Sequence, residues 1–276
     1  MTSELRAWIG REATVVDTVT LSRAEQLAAT LGYSQGRLEQ GSELPPGWHW
    51  LYFLEAAPAQ TIAVDGHPEK GGFLPPVALP RRMWAGSRLR FLAPLRVGDT
   101  AQRKTTISDI RQRQGRSGEL VFVTLRHEIL RGRELLLEEE QDIVYRGPAR
   151  TATPDSEKPF ENGPWSRTVE VDPVLLFRYS ALTFNAHRIH YDRNYAVGVE
   201  EYAGLVVQGP LSATLLLDLL HREMPAATLR AFRFRGLRPL TDDAPLELGG
   251  RARGSTVELW AGSAGSVAME AEAEIA

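Results

Sequence analysis

Short apolar runs separated by glycine and proline recur along most of the chain, and they predict a protein rich in β-strands. The clearest predicted strands are Leu120–Leu125 and Leu135–Tyr145, with a bend at Gly132 between them. The aromatic segment Trp48–Leu54 is also predicted to be a strand, and residues 231–276 are predicted to contain three or four more. This pattern favours β-sheet as the main architecture.

Three segments carry helix signals instead. A capping box over Ser22–Glu25 predicts a helix that ends at Gly32. An N-cap followed by proline, Asp172–Pro173, predicts a second helix. The third predicted helix, Leu211–Arg222, follows a Gly-Pro pair and is apolar on nearly every side, so we expect it to be buried against a sheet.

A polar, proline-punctuated segment divides the chain. We predict an N-terminal domain over residues 1–147, a linker over 148–166 and a C-terminal domain over 167–276. The segments Phe91–Asp99 and Phe234–Asp242 form a faint repeat, each between a helix-containing part and a strand-rich part. The two halves are therefore predicted to share one plan, a sheet wrapped around a helix.

Composition narrows the class of protein. The 276 residues have a net charge of −3, which gives no basic field for nucleic acid, and they include no cysteine for disulfides or thiolate chemistry. The first ten residues lack the pattern of a signal peptide, and the longest apolar run, Leu215–Leu220, is too short to cross a bilayer. We expect a cytoplasmic protein with no membrane partner.

Candidate chemistry is concentrated between Asn185 and Asp192, directly after the second predicted helix. The stretch also contains His187, His190 and Tyr191. Polar groups at the end of a rigid element are typical of a functional site. The two histidines with Asp192 could also form a metal cluster, but their spacing matches no zinc signature, so no metal is predicted.

The chain contains Asn185–His190, followed by Tyr-Asp, and it contains Val206–Thr214, with Gly209 before the apolar helix. Together these two motifs resemble those of the MaoC-like hydratases and dehydratases, also called hydratase 2. Leu79–Gly86 makes the chain similar to one branch, the mesaconyl-CoA and itaconyl-CoA hydratases and the fungal-type 3-hydroxyacyl-thioester dehydratases. The resemblance implies an α+β double hotdog, two fused antiparallel sheets each wrapped around a helix. It also implies a hydro-lyase acting on a CoA or acyl-carrier thioester without a cofactor.

The resemblance implies catalytic roles for matching positions. His190 is expected to be the base, and the backbone N–H of Gly209 is expected to bind the developing oxyanion. Asn185 stands where the wider family has aspartate, and an amide cannot transfer a proton, although it could orient water. Asp192 is expected to fix the His190 tautomer, but it also suits an N-cap. Four side chains remain candidates for the missing acid: His190, His187, Tyr191 and Asp192.

Substrate contacts are predicted around Arg81, Arg82 and Trp84, together with His187 and Tyr191. The arginine pair could clamp CoA phosphates or a carboxylate on the acyl chain, or it could simply be solvated. A carboxylate clamp would suit the short branched dicarboxylic chains of mesaconyl or itaconyl thioesters, which are our preferred substrates. The direction of the reaction in the cell stays open.

Other functions are also compatible with these residues. A fatty-acid-type 3-hydroxyacyl-thioester dehydratase would need a long apolar tunnel, part of which Trp48–Phe53 could line. A hotdog thioesterase would need an acid on the buried helix, where Asp218 is the candidate. A non-catalytic acyl-CoA-binding protein is favoured by Asn185. A homodimer is predicted only because closed dimers are the commonest assembly.

Overall fold

The computed structural model describes residues 3–33, 38–115, 118–147 and 158–276. Within these ranges the strands are β1 (Glu12–Thr18), β2 (Arg81–Phe91), β3 (Thr100–Gly115), β4 (Gly118–Arg131), β5 (Glu134–Arg146), β6 (Trp165–Val169), β7 (Leu229–Gly236), β8 (Leu246–Arg253), β9 (Thr256–Ser263) and β10 (Ser266–Ile275). The α-helices are α1 (Ser3–Arg6), α2 (Leu21–Thr30), α3 (Pro173–Leu182), α4 (Arg193–Gly198) and α5 (Gly209–Glu223).

The described strands form one sheet in the order β1-β3-β4-β5-β2-β7-β10-β9-β8-β6, and the neighbouring strands are antiparallel. Strands β1–β5 form one half and β6–β10 the other, joined where Ser87 of β2 lies opposite Phe234 of β7. The α+β class predicted from the sequence is confirmed. The domain bounds stay a prediction, and residues 148–157 of the predicted linker lie outside the described residues.

Helix α5 is buried in the C-terminal half. Every side chain from Leu211 to Leu220 is buried, and the helix packs on strands β8, β9, β10, β6 and β2. Because all its faces are covered, an apolar pattern without a polar stripe is what this position requires. The sequence prediction for this helix is confirmed.

The predicted strand over Trp48–Leu54 is wrong. Trp48–Leu51 forms a 3₁₀ turn that begins after Gly47, whose φ of 85° lies in the left-handed region. Several consecutive side chains here are buried, whereas a strand sends alternate side chains to opposite faces. Tyr52 is one of these buried side chains, and its hydroxyl donates to the carbonyl of Thr20 at 2.7 Å.

Local signals at helix ends were only partly reliable. The predicted capping box fails because α2 begins at Leu21 and Thr20 is its N-cap, without a side-chain hydrogen bond. Asp172 is confirmed as the cap of α3, since its carboxylate accepts from the N–H of Leu175 at 2.7 Å. No helix among the described residues is long and apolar enough to cross a membrane.

Candidate active site

A large cleft runs between the two halves of the molecule and brings the predicted chemistry together. Its volume is about 1960 Å³. Most residues of the loop Thr183–Asp192, which we call the catalytic loop, line it from the C-terminal half together with the start of α5. Strand β2 and the loop Ala63–Pro68, which we call the 63–68 loop, line it from the N-terminal half.

His190 is held in one tautomer. Its ring is 6% exposed, and Nδ1 lies 2.7 Å from the carbonyl oxygen of Val206. Because a carbonyl only accepts, Nδ1 carries the proton and Nε2 is left with a free lone pair. Burial lowers the pKa of His190 to about 4, so the ring is a neutral base at pH 7.

The expectation that Asp192 fixes this tautomer is wrong. Asp192 caps α4 by accepting from the N–H of Tyr195 at 3.1 Å, and it pairs with Arg188 at 2.7 Å. The carbonyl of Val206 performs the orienting role instead. Asp192 therefore shapes the end of the catalytic loop and is not among the residues that line the cleft.

Asn185 and His187 form a tight turn at the start of the loop. The Asn185 side-chain oxygen accepts from the backbone N–H of His187 at 3.0 Å, and the preceding Phe184 has a φ of 51°. The Asn185 NH₂ group has no hydrogen-bond acceptor among the described residues. It is therefore free to donate to water in the cleft but cannot take up a proton.

His187 lies between two other histidines. Its ring centroid is 4.0 Å from that of His67 and 5.4 Å from that of His190. Burial is the main reason that the pKa of His187 lies far below its usual value, and the neighbouring His67 and His190 lower it further. The three histidine rings therefore form one contiguous group inside the cleft.

Gly209 begins α5 at the wall of the cleft. No acceptor among the described residues binds its backbone N–H, so this donor is available at the positive end of a buried helix. The preceding Gln208 is held by hydrogen bonds to the Leu176 carbonyl and the Ser180 hydroxyl, both at 2.9 Å. The helix start is thus fixed in place before any ligand arrives.

The two arginines of the predicted clamp point in opposite directions. Arg81 is buried, and its Nε lies 2.7 Å from the carboxylate of Glu200. It ties β2 to the loop after α4, so its assignment to the substrate is wrong. Arg82, on the other face of the strand, lines the cleft. Arg81 and Arg88 pair with acids, but no carboxylate among the described residues pairs with Arg82.

The other two predicted contacts reach the cleft as well. Trp84 lies on the same face of β2 as Arg82, and its indole N–H donates to the Ser87 hydroxyl at 2.9 Å. Tyr191 is half exposed at the cleft, with its hydroxyl donating to the Ala186 carbonyl at 3.0 Å. Both side chains line the cleft and could contact a substrate.

Sequence reasoning missed the contribution of the 63–68 loop. Asp65 and His67 lie against His187, with 3.1 Å between Asp65 Oδ2 and His67 Nδ1. The donor atoms of these three residues lie within 4.8 Å of one another, which would suit a metal ion. Asp65 and His67 bond each other in this arrangement, and we assign the cluster no metal. The Asp-Gly-His triplet in a glycine-rich loop was the signal that could have found them.

A thioesterase site is not supported on α5. Asp218 is buried, pairs with Arg167 and with Arg222, and is not among the residues that line the cleft. A carboxylate that pairs with two arginines and lies outside the cleft cannot act as a base on a substrate that binds in the cleft. This observation removes the main argument for a thioesterase.

Buried histidines make stability depend on pH. Burial lowers the pKa of both His127 and His190 to about 4, from about 6.5 in an unfolded chain. Between these values the unfolded form binds more protons, so the free energy of unfolding should fall as pH falls from 6.5 toward 4. We expect about 1.4 kcal/mol per pH unit for each histidine. Urea unfolding of the wild type and of His127→Gln, each at pH 6.5 and pH 5, measures the change in the free energy of unfolding with pH. An equal change in the two proteins would contradict the contribution of His127.

The chain is similar to known proteins over most of its length. A family model described as hydroxyacyl-thioester dehydratase type 2 matches residues 47–242. A mesaconyl-C(4)-CoA hydratase of Chloroflexus aurantiacus is 49% identical over 272 residues, covering 98% of this chain and 97% of that protein.

Solved structures identify the fold. A MaoC-like dehydratase from Phytophthora capsici matches with a TM-score of 0.71 and 16% identity, covering 99% of this chain and 97% of that one. A Mycobacterium tuberculosis protein described as having a double hotdog fold matches with a TM-score of 0.58 and 17% identity, covering 97% and 96%. The ten-stranded sheet with its buried helix is therefore a double hotdog.

Proposed function

The chain belongs to the type 2 hydroxyacyl-thioester dehydratase family, and we propose on that basis that it adds water reversibly to a short 2-enoyl-CoA thioester. One observation carries the proposal. The free Nε2 of a neutral, buried His190 and the free N–H of Gly209 face the same cleft. Hydration of a thioester needs a base for water and a donor for the enolate oxygen, besides an acid for C2, and these two residues supply the first two.

The residues then have separate roles. The thioester carbonyl oxygen accepts from Gly209 N–H, which stabilises the negative charge that develops as water attacks C3. Nε2 of His190 takes the proton of that water, while Nδ1 keeps its bond to Val206. The NH₂ of Asn185 donates to the same water and directs its lone pair toward C3. Asn185 is thus a positioning group and not an acid.

Arg82 favours a substrate with a free carboxylate. It is a cation in the cleft without a carboxylate partner among the described residues, and its charge acts on both His67 and His187. In a mesaconyl C4 thioester the free carboxylate is carried by the carbon that receives the hydroxyl. An arginine next to the histidines is well placed for such a group, and the 49% identical relative is named for that substrate.

Replacing Arg82 by glutamine tests this substrate assignment. Loss of a charged hydrogen bond of about 1.5–3 kcal/mol should lower kcat/KM for mesaconyl-CoA by about 10- to 100-fold and leave kcat/KM for crotonyl-CoA nearly unchanged. Arg90→Gln is the matched control, because Arg90 lies on the same strand and is mostly exposed. Equal losses on both substrates would contradict a carboxylate clamp.

A fatty-acid-type 3-hydroxyacyl-thioester dehydratase is the second candidate. The apolar part of the cleft, which includes Phe73, Leu74 and Leu120, could take a longer chain. Turnover of long-chain enoyl-CoA esters in preference to mesaconyl-CoA would favour this candidate. The cytoplasmic location and the homodimer stay predictions.

A further inference from the structure

The 63–68 loop is docked on the catalytic loop although the two come from different halves of the chain. The backbone N–H of Arg188 donates to the Asp65 carbonyl at 2.9 Å, and the Arg188 side chain donates to the Val64 carbonyl at 3.2 Å. A Cβ at Gly66, whose φ is 90°, would lie 1.8 Å from the Ala186 carbonyl oxygen. Only glycine permits this approach, which places His67 beside His187.

Asp65 orients His67 with two hydrogen bonds. Its Oδ1 accepts from the backbone N–H of His67 at 3.0 Å, and its Oδ2 lies 3.1 Å from Nδ1 of the ring. A carboxylate only accepts, so Nδ1 carries the proton and Nε2 is the nitrogen left for a substrate. His67 lines the cleft, and through His187 it is within two ring contacts of His190.

The surroundings of His67 and His190 differ in charge. His190 has only a carbonyl as its partner, whereas His67 has a carboxylate that stabilises the protonated ring. The charged and titratable groups that act on His67 are Asp65, Arg82, Lys70, His187 and His190. Burial is the largest influence on His67 and lowers its pKa overall, and the bond to Asp65 offsets part of that lowering. Two groups whose surroundings separate their proton affinities are suited to opposite acid–base roles.

We propose that His67, oriented by Asp65, is the acid that protonates C2 of the substrate, and that it replaces the acid that Asn185 cannot supply. The proposal rests on the hydratase function proposed above. It makes the site a composite of both halves of the chain. His67 is a catalytic residue in this account, and Asp65 is a positioning residue that acts through it.

The proton balance is complete with these groups. A proton of water passes to Nε2 of His190 while the water oxygen bonds to C3, and the C2–C3 π pair moves into the thioester as an enolate. Gly209 N–H binds the enolate oxygen, and Nε2 of protonated His67 then gives its proton to C2. His190 then releases its proton to bulk water, and His67 takes one up from bulk water. Dehydration is the reverse, with His67 as the base.

Exchange of the C2 hydrogen with solvent distinguishes the proposed role of His67 from that of His190. In D₂O, the wild type should exchange a C2 hydrogen of the 3-hydroxyacyl-CoA product faster than net dehydration proceeds. His67→Asn keeps a donor for Asp65 but removes Nε2, so it should lose exchange and slow hydration by about 10²–10⁴-fold. His190→Asn should slow hydration by a similar factor but keep the exchange. His221→Gln, on an exposed turn of α5, is the control.

Asp65→Asn tests the positioning role and serves if His67→Asn does not fold. Hydration requires protonated His67, so activity should fall as pH rises through the pKa of His67. Removing the carboxylate lowers that pKa, and the loss of activity should begin at lower pH than in the wild type. A merely structural role would change stability without moving the pH profile.

Three results would overturn the proposal. The first is turnover and exchange in His67→Asn within tenfold of the wild type, and the second is an unmoved pH profile in Asp65→Asn. The third is stoichiometric zinc in the purified protein together with loss of turnover on chelation, which would make the Asp65–His67–His187 cluster a metal site. A wild type that turns over no enoyl thioester would instead contradict the proposed function, so the two failures are distinguishable.

Discussion

Hydration by His190→Asn should be slower than wild-type hydration by about 10²–10⁴-fold, the range for loss of a general base. The asparagine NH₂ can still donate to the Val206 carbonyl, as Nδ1 does in the wild type. Only the free Nε2 lone pair is lost, so the loop should keep its shape. The measurement is kcat for loss of the enoyl-thioester absorbance, with circular dichroism to show that the fold is retained.

His221→Gln is the histidine control for this experiment. His221 lies exposed near the end of α5 and is not among the residues that line the cleft. Its substitution should leave kcat unchanged. Activity of His190→Asn within threefold of the wild type would show that another group activates the water.

Gly209→Pro should lower kcat by about 10²–10³-fold, because it removes the one N–H assigned to the oxyanion, a loss of about 2.7–4 kcal/mol. Proline suits the first position of a helix. The preceding Gln208 already has φ −62° and ψ 131°, the extended conformation that a following proline demands. The helix should therefore still begin at residue 209.

Gly209→Ala separates loss of the donor from added bulk. Its Cβ would lie 3.7 Å from the Trp84 carbonyl oxygen, an ordinary contact, and the N–H is retained. We expect kcat of this variant within a few-fold of the wild type, measured in the same assay. A similar loss in both variants would mean that space in the cleft, and not the N–H, is what position 209 supplies.

The sequence could predict those parts of the site that depend on local patterns. His190 and Gly209 stand in short motifs, and the all-apolar stretch of α5 indicated burial without any knowledge of its partners. The tautomer of His190 was not predictable in the same way. Its partner is a backbone carbonyl at Val206, 16 residues along the chain, and every residue type has such a carbonyl.

The wrong prediction for Arg81 and the failure to predict the 63–68 loop have one cause, because tertiary structure decides both. Arg81 and Arg82 look alike in the sequence, and only the placement of β2 in the sheet decides that Arg82 faces the cleft while Arg81 meets Glu200. Asp65 and His67 are more than 100 residues from the catalytic loop, so their meeting with His187 depends on how the two halves join. Distances of this kind depend on tertiary structure and have no local signal.

The central claim is that this cleft adds water to a mesaconyl-type thioester. Incubating the purified wild-type protein with mesaconyl-C4-CoA, and following enoyl absorbance together with the mass of the product, tests that claim most directly. We expect the absorbance to fall to an equilibrium value and the product to gain one water, with crotonyl-CoA reacting more slowly. Tight binding of both CoA esters without any change in absorbance or mass would contradict the claim and make this chain an acyl-CoA-binding protein.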